Sequence, residues 1–542
     1  MKQFVAIIAT FWFVNLGMGS GLSITNAALT GQNPAEHYIM IQFDVAWENS
    51  WRLDFGPSNW DAAWVFIKYK SMGSNWKHVQ LSADPAHHVA PAGATVNVPA
   101  DGVGAYIYRA AAGSGANNFT SVQLRWYYNA TGLPDDADID IKVLGIEMVY
   151  IPQAAFYAGD YNSSAYCFKQ GSNDNDPWYI SSEDPINCTN AVENGYYYQS
   201  GGNGGELPSG STFTIPTAYP KGYNAFYMMK YELSQEQYRD FLNLLTREQQ
   251  QRRVAEDISG TNVAHVYVLT QSSSQSMYNS IRCDASIPAT GPVTFYCEAT
   301  NDGVYNAIND NQTSGLGSLG YTDLAAYADW AGLRPLTELE FEKASRGTRV
   351  PIAGEFVWGN TSIKSDGEYS ITSSLSPNSS ITNGTFGVAT GNANYSLTFT
   401  QTYPILRPGI FAYSSPNHTR QETGASYYGV MELSGNVAEI MVSVGRVTGY
   451  TFTGLNGNGS LNELGQADVD YWPGLNGNNM QPNQVYGGSI GVTTQPGVGT
   501  RGGSYASPVG FLKVSGRSDA CIGNNTSLRG ATFGIRVGRS AE

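Results

Sequence analysis

Between about residues 22 and 144, apolar and polar residues alternate in short segments. The segments IMIQFDVAW, AAWVFIKYK, GAYIYRAAA and SVQLRWYYN are rich in β-branched and aromatic side chains, and Gly, Pro, Asn and Ser residues separate them. Alternation with a period of two residues is typical of strands that bury one face. The pattern therefore predicts an antiparallel, β-sandwich-like domain over residues 28–145.

The second region, residues 146–542, has a different pattern, in which a few short helices interrupt short strands and long loops. Ser234–Leu245 begins with a serine that has a glutamine three residues later, which is a capping box, and apolar residues follow at helical spacing. Thr322–Trp330 shows the same spacing, and a third helix is predicted to start at Thr337. This combination predicts an α+β fold.

Two stretches of the second region have the character of insertions, at about residues 247–318 and 362–417. The later stretch is rich in Ser, Thr, Asn and Gly and shows no clear periodicity. Long loops of this kind are often binding surfaces or assembly contacts. The last predicted strand of the first region, residues 138–143, almost reaches the first strand of the second, so we expect the two domains to pack together.

Five tryptophans of the first region allow two interpretations. They are Trp47, Trp51, Trp60, Trp64 and Trp76. Exposed indole rings could form a carbohydrate-binding platform, whereas buried indoles would supply core and inter-strand packing. Packing is favoured, because large aromatic side chains usually contribute their area to the core.

The N-terminus has the features of an export signal. A short positively charged start is followed by the apolar stretch FVAIIATFWFVNLGMG and then by small residues. This predicts a signal peptide over residues 1–27 and a secreted or cell-surface protein, with a buried strand or a membrane anchor as the alternative. No later segment has the ~18 consecutive apolar residues of a spanning helix, so no membrane span is expected.

The cysteine positions agree with export. Cys167 and Cys188 enclose one loop rich in small polar residues, and Cys283 and Cys297 enclose another. Two local disulfides, 167–188 and 283–297, would stabilise these loops, and Cys521 would remain single. No pair has the spacing of a zinc site.

Composition narrows the class of partner. Of the 542 residues, 14% are charged and the net charge is −15. Phosphate binding requires clustered Lys and Arg, and the sequence has no basic run, so nucleic acid is excluded as a partner. The low charge and the abundance of Gly, Asn, Ser and Tyr favour a loop-rich extracellular protein.

Seven short motifs follow one another from Glu147 to the C-terminus. They are EMVYIPQAAFYAGD from Glu147, FYMMKYELSQEQYRDFLN from Phe226, DLAAYADWAGLRPLTELEFEKASRG (Asp323–Gly347), FVWGN (Phe356–Asn360), YYGVMELSGNVAEI (Tyr427–Ile440), RGGSY (Arg501–Tyr505) and FGIRVGR (Phe533–Arg539). This series, in this order, resembles the formylglycine-generating-enzyme-like (sulfatase-modifying factor) domain family. The resemblance implies a C-type-lectin-like fold with many ordered loops.

The chemistry of the family's oxidases is not supported by the residues present. Those enzymes hold copper with two cysteines a few residues after the GGS motif, because soft thiolates bind copper tightly. Here Ser504–Leu512 contains no cysteine. Another branch of the superfamily binds iron with three histidines on an added helical domain, which the strand-rich N-terminal region does not resemble. We therefore expect neither copper nor iron.

A structural calcium site is the one metal site that the resemblance implies. In the family, the loop that matches Glu432–Glu439 wraps a calcium ion with side-chain oxygens from its first and last positions and with main-chain carbonyls. Glu432 and Glu439 would supply carboxylates, and Gly435 and Val437 would supply carbonyls. Hard oxygen ligands in a tight loop suit Ca²⁺. An empty structural loop is the alternative.

These observations favour a non-catalytic function. The predicted role is ligand binding, adhesion or extracellular self-assembly into a filament or surface layer, with a carbohydrate, a protein or a second copy as partner. The alternative is a protein-modifying oxidase of the formylglycine-generating type, or another extracellular enzyme. A third possibility is a variable display protein, because some lectin-fold members diversify their last residues, where Arg501–Arg539 lies.

Overall fold

The computed structural model describes residues 21–201, 206–274, 279–397, 404–473, 497–521 and 529–542. Strands dominate its regular structure and short helices complete it, so the predicted α+β class is confirmed. The strands of the first 151 residues are β1 (Ser23–Asn33), β2 (Tyr38–Arg52), β3 (Asp61–Ser71), β4 (Lys77–His78), β5 (Ala94–Asn97), β6 (Ala105–Arg109), β7 (Gly113–Tyr127) and β8 (Ile139–Ile151).

The remaining strands are shorter. They are β9 (Phe156–Ala158), β10 (Lys169–Gln170), β11 (Trp178–Ile180), β12 (Ile186–Cys188), β13 (Tyr196–Tyr197), β14 (Phe213–Ile215), β15 (Phe226–Met229), β16 (Ile281–Arg282), β17 (Tyr296–Cys297), β18 (Ile371–Thr372), β19 (Ser380–Ile381), β20 (Ala438–Val442), β21 (Val498–Arg501), β22 (Phe533–Gly534) and β23 (Gly538–Ser540).

Among the residues that the structure describes, seven α-helices lie between these strands. They are α1 (Gln235–Asn243), α2 (Arg247–Arg253), α3 (Tyr321–Trp330), α4 (Glu338–Arg346), α5 (Ile410–Ser414), α6 (Arg420–Thr423) and α7 (Val447–Tyr450). No helix in the described part of the chain is both long enough and apolar enough to cross a membrane.

The N-terminal sheet confirms the alternation read from the sequence. Its three strands are antiparallel in the order β1-β2-β7. Every second residue of β2, at Ile41, Phe43 and Val45, is buried against Val65 and Ile67 of β3. Because side chains alternate between the two faces of a strand, the residues between them stay partly exposed.

The predicted signal peptide, residues 1–27, extends across the start of this sheet. Residues 1–20 lie outside the described part of the chain. Strand β1 already begins at Ser23, which pairs with Ala46 of β2. The predicted end of the signal peptide therefore falls inside a paired strand.

A second, seven-stranded sheet joins the two predicted domains. Its strand order is β23-β15-β8-β3-β6-β5, with β4 paired to β3. Strand β8 crosses the boundary predicted at residues 145–146. It pairs with β3 from Asp61↔Val149 to Ser71↔Ile139, and with β15 on its other side. The two regions thus share one continuous sheet.

Strand β3 lies at the centre of the molecule, because nine consecutive residues from Asp61 are buried. One face packs against the three-stranded sheet. On the other face, Phe66 contacts Trp330 of α3 with 5.1 Å between ring centroids, and Trp330 lies 5.0 Å from Phe241 of α1. A strand covered on both faces loses its alternation, which explains the apolar run AAWVFI.

The three predicted helices are confirmed as α1, α3 and α4. Ser234 forms the predicted capping box with Gln237 at the start of α1. Thr337 forms another with Glu340 at the start of α4. Such caps satisfy backbone N–H groups that a helix leaves free at its N-terminus, at a gain of about 1 kcal/mol each.

The two predicted insertions have packed structure of their own. The first contains α2, β16 and β17, and its Val268 and Phe295 join the main core. The second contains β18, β19 and α5, and Ile381, Leu406 and Phe411 form a small separate core there.

Two of the five tryptophans are fully buried, as the packing interpretation requires. Trp47 and Trp64 are 1% and 0% exposed. Trp60 is only partly buried, but its ring stacks on Tyr150 at 3.9 Å. Trp51 and Trp76 pack against the edges of cores.

Candidate functional site

The GGS motif lies at the end of β21, beside β20 and β22. Strand β20 pairs with both of them, so Glu439 of β20 lies opposite Arg501 of β21. Gly502 and Gly503 turn the chain with φ values of +81° and +68°. A Cβ atom at Gly502 would lie 2.6 Å from Glu439 Oε2, so only glycine fits here.

A buried ionic network forms the floor beneath this turn. Arg501 donates to Glu338 at 2.9 Å and to Glu342 at 2.8 Å, and Arg517 donates to Glu338 at 2.7 Å. Burial alone would raise the pKa of Glu338, but Arg517 and Arg501 outweigh it and hold that pKa below its ordinary value. The network therefore stays ionised and keeps the turn rigid.

The turn borders a small polar pocket with a cavity volume of about 50 Å³. Its lining includes Ser504, Ser507, Phe511 and Phe533. The two serine hydroxyls are 3.0 Å apart, and the Ser504 N–H donates to Ser507 Oγ at 2.9 Å. Hydroxyl groups in a pocket that aromatic rings also line suit hydrogen bonding to a polar ligand.

The five cysteines lie outside this pocket lining and are buried free thiols. The structure does not contain the predicted disulfides 167–188 and 283–297. The register of β16 and β17 places Cys297 opposite Ile281, so Cys283 is offset by two residues. Cysteines in a disulfide usually have Cα atoms about 4.4–6.8 Å apart, whereas diagonal neighbours of two paired strands lie at about 7–8 Å.

Burial also makes these thiols unreactive. It raises the pKa of Cys521 to about 11, and that of each of the other four cysteines to about 12. Reactive or metal-binding cysteines have the opposite shift, because the thiolate is the reactive form.

Maleimide labelling without reductant is therefore expected to modify five thiols after unfolding in guanidinium, and almost none in the folded protein. Mass spectrometry of the labelled chain gives the count. Labelling of a single thiol after unfolding would instead show that both predicted disulfides form.

The predicted calcium loop, Glu432–Glu439, lies directly below the GGS turn. The Gly435 N–H donates to the Gly502 carbonyl at 2.9 Å. Gly435 has a φ of +92°, and a Cβ there would lie 2.4 Å from the Asn394 carbonyl. The loop conformation thus requires the glycine that the sequence provides.

The two predicted carboxylate ligands are buried, and each has one oxygen without a hydrogen-bond partner. Glu432 accepts from the Gly409 N–H at 2.7 Å, and Glu439 accepts from Arg536 Nε at 3.1 Å. The second oxygen, Oε2, of each side chain has no hydrogen bond. These two free oxygens fit a hard cation chemically.

A third carboxylate, Glu232, was not predicted from the sequence. It accepts from the Val437 N–H at 3.1 Å and from the Asn436 side chain. In the part of the chain that the structure describes, no three His, Cys, Asp or Glu residues form a metal-binding group. The geometry thus provides part of a calcium site, and calcium binding stays a prediction.

These carboxyl groups hold protons unusually strongly. Burial raises the pKa of Glu432 to about 7 and that of Glu439 to about 8. Burial and the neighbouring Glu439 also raise the pKa of Glu232 well above its ordinary value. One arginine, Arg536, faces all three.

In calcium-free buffer we expect stability to fall as pH rises from about 5 to about 8. The folded pKa values are above the ordinary value of 4.5, so the folded state binds the extra protons. That contribution is complete below about pH 4.5 and is lost through about pH 7 to 8. Calorimetry of Glu439→Gln should show a smaller change in Tm with pH, whereas the exposed-residue control Glu36→Gln should follow the wild type.

An unchanged pH dependence in Glu439→Gln would contradict this assignment. Adding calcium at pH 8 is expected to recover Tm in the wild type and not in the variant, because the ion favours the ionised carboxylates.

Comparison with known proteins identifies the family. No curated protein matches the sequence. The solved structure of Treponema denticola variable protein 1 matches with 11% identity and a TM-score of 0.31, over 73% of this chain and 96% of that chain. The model of the sulfatase-modifying factor enzyme 1-like domain matches residues 202–541, which include the pocket, its floor and the predicted calcium loop. The chain therefore belongs to the sulfatase-modifying factor enzyme 1-like domain family.

Proposed function

We propose that this protein is a non-catalytic, secreted or surface protein that binds a ligand through a C-type-lectin-like fold. The pocket beside the GGS turn carries this proposal. Its lining has serine hydroxyls and phenylalanine rings and no cysteine, where the family's oxidases use thiols. A site of this chemistry recognises its ligand by hydrogen bonds and stacking and transfers no electrons.

The ligand class follows from the size and polarity of the pocket. A volume of about 50 Å³ accommodates one small group of a larger ligand, such as a sugar hydroxymethyl or a short side chain. Ser504 and Ser507 can donate or accept, and Phe511 and Phe533 offer apolar faces. An extracellular carbohydrate or an exposed peptide segment has this combination of polar edges and apolar faces.

Calcium would support this site structurally. Glu432 and Glu439 would hold the ion with their free carboxylate oxygens, together with the carbonyls of Gly435 and Val437. The ion would rigidify the loop that hydrogen-bonds the GGS turn.

The N-terminal, β-sandwich-like domain would mediate adhesion or self-assembly. Strand β1 is the edge strand of its sheet and is largely exposed or partly exposed over its eleven residues. An exposed edge strand offers unpaired backbone groups to another chain. Light scattering across a range of protein concentrations tests this part, and a monomer at all concentrations contradicts it.

Glycan and peptide arrays test ligand binding. The variant Ser507→Trp fills the pocket with an indole and is expected to weaken binding at least about tenfold, which corresponds to about 1.4 kcal/mol. Ser181→Trp, on an exposed loop outside the pocket lining, is the matched control. Equal binding by both variants would place the ligand elsewhere.

The enzymatic alternative has its own test. A cysteine-containing peptide is incubated with the protein, oxygen and added copper, and loss of the thiol is followed by mass spectrometry. Turnover that disappears in Cys521→Ser would overturn the non-catalytic proposal.

A further inference from the structure

Three charged side chains meet in the interior where β3, β8 and β15 lie side by side. Asp61 begins β3, Glu147 lies on β8 and Lys230 directly follows β15. They are 0%, 3% and 1% exposed, respectively. Lys230 Nζ lies 3.1 Å from Asp61 Oδ2 and 3.0 Å from Glu147 Oε2. The Lys230 amino group thus contacts two carboxyl groups, those of Asp61 and Glu147, in a site without bulk water.

The surroundings of Asp61 polarise its carboxyl group. Ser50 Oγ and the Trp51 N–H donate to Oδ1 at 2.7 and 3.1 Å. Trp47 Nε1 donates to Oδ2 at 3.1 Å, and Lys230 donates to the same oxygen. Donors on both oxygens draw electron density from the carboxyl carbon and would stabilise an oxyanion at Oδ1.

We propose that Lys230 and Asp61 become joined by an intramolecular amide bond in the folded protein, with Glu147 as the proton carrier. Lys230 Nζ is within hydrogen-bond distance of the carboxyl group that it would attack. Reacting atoms that a fold holds in a near-attack geometry reach effective concentrations of about 10⁵–10⁸ M, which would favour a reaction that is negligible between free side chains.

The atoms balance without any further reagent. Glu147 takes a proton from the Lys230 ammonium, and the free amine attacks Cγ of Asp61. The C–Oδ2 bond then breaks, and Oδ2 leaves as water with protons that Lys230 supplies through Glu147. One ammonium and one carboxylate become one amide and one water, and Glu147 returns to its original charge.

Lys230 differs from the other buried lysines in its hydrogen-bond partners. Lys68 donates to main-chain carbonyls and contacts a histidine, and Lys343 donates to a carbonyl. Lys221 Nζ is 4.0 Å from the carboxylate of Glu183. Among the described lysines, only Lys230 is almost fully buried and within hydrogen-bond distance of two carboxylates.

Peptide mass spectrometry of the full-length protein tests the bond. Trypsin should release Leu53–Lys68 joined to Gly222–Arg239, at the sum of their masses minus one water, with Lys230 uncleaved. Fragmentation should place the link between Asp61 and Lys230. Recovery of the two peptides separately and in full yield from the wild type would overturn the proposal.

Two variants separate the roles of the amine and of the proton carrier. Lys230→Arg keeps the charge but should abolish the linked peptide. Glu147→Gln keeps the size of the side chain and should also abolish it, while the control Lys68→Arg should retain it. A linked peptide that persists in Glu147→Gln would overturn the assignment of Glu147, and one that maps to other residues would overturn the whole proposal.

Discussion

Replacing Glu338 with glutamine is expected to lower the free energy of unfolding by about 3–5 kcal/mol, because two buried arginines lose their shared counter-ion. Arg501 and Arg517 each donate to Glu338 at 2.7 to 2.9 Å, and all three side chains are fully buried. A neutral amide accepts hydrogen bonds more weakly and leaves Arg517 without its bonded carboxylate, whereas Arg501 keeps Glu342. Urea denaturation followed by tryptophan fluorescence measures the loss.

A surface pair provides the control for this prediction. Glu248 and Arg252 lie 3.4 Å apart, and the glutamate side chain is 59% exposed. Pairs of this kind contribute about 0–1 kcal/mol, so Glu248→Gln should change stability little. Similar losses in both variants would show that burial does not determine how much the Glu338 network contributes to the free energy of unfolding.

Replacing Arg536 with methionine should have an effect of similar size. Its guanidinium donates to Glu439 and to the carbonyls of Met229 and Met431, at 2.7 to 3.1 Å. Methionine fills much of the volume but leaves three acceptors without a donor and removes the cation that Glu232, Glu432 and Glu439 share, although Glu432 keeps the influence of Arg407. We expect a loss of about 3–5 kcal/mol in urea denaturation at pH 7.

The pH dependence makes this second prediction specific. Without Arg536 the carboxyl groups of Glu232, Glu432 and Glu439 are harder to ionise, so the destabilisation should grow between pH 6 and pH 8. The exposed-residue control Arg349→Met should show neither the loss nor the pH effect. A destabilisation that is independent of pH would mean that Arg536 acts by packing alone.

The sequence alone predicted those features whose signal lies within a few consecutive residues. Ser234 and Thr337 each cap a helix through a residue three positions later, and both capping boxes form. The alternation of β2 follows from a single buried face. The GGS and Glu432–Glu439 motifs also identified two loops that lie in direct contact.

The buried ion pairs could not be predicted from the sequence, because their residues are distant along the chain. Glu338 and Arg517 are 179 positions apart, and Asp61 and Lys230 are 169 positions apart. Neither pair leaves a pattern that periodicity can detect. Glu232, which follows β15, likewise contacts the Glu432–Glu439 loop. It lies within the motif that begins at Phe226, but that motif does not indicate the contact.

The two predicted disulfides, which the structure does not contain, depend on pairing of the same kind. Proximity of Cys283 and Cys297 in sequence suggested a closed loop, but bond formation depends on the pairing register. The spacing of the two cysteines does not show that Cys297 pairs with Ile281, two residues before Cys283.

The position of β23 has a consequence for how the protein is made. Strand β23 pairs with β15, which pairs with β8 next to β3. The central sheet therefore lacks one strand until residues 538–540 have left the ribosome. A stop codon before Gly538 removes this strand from the sheet, so it should yield chains for degradation and not shorter functional forms.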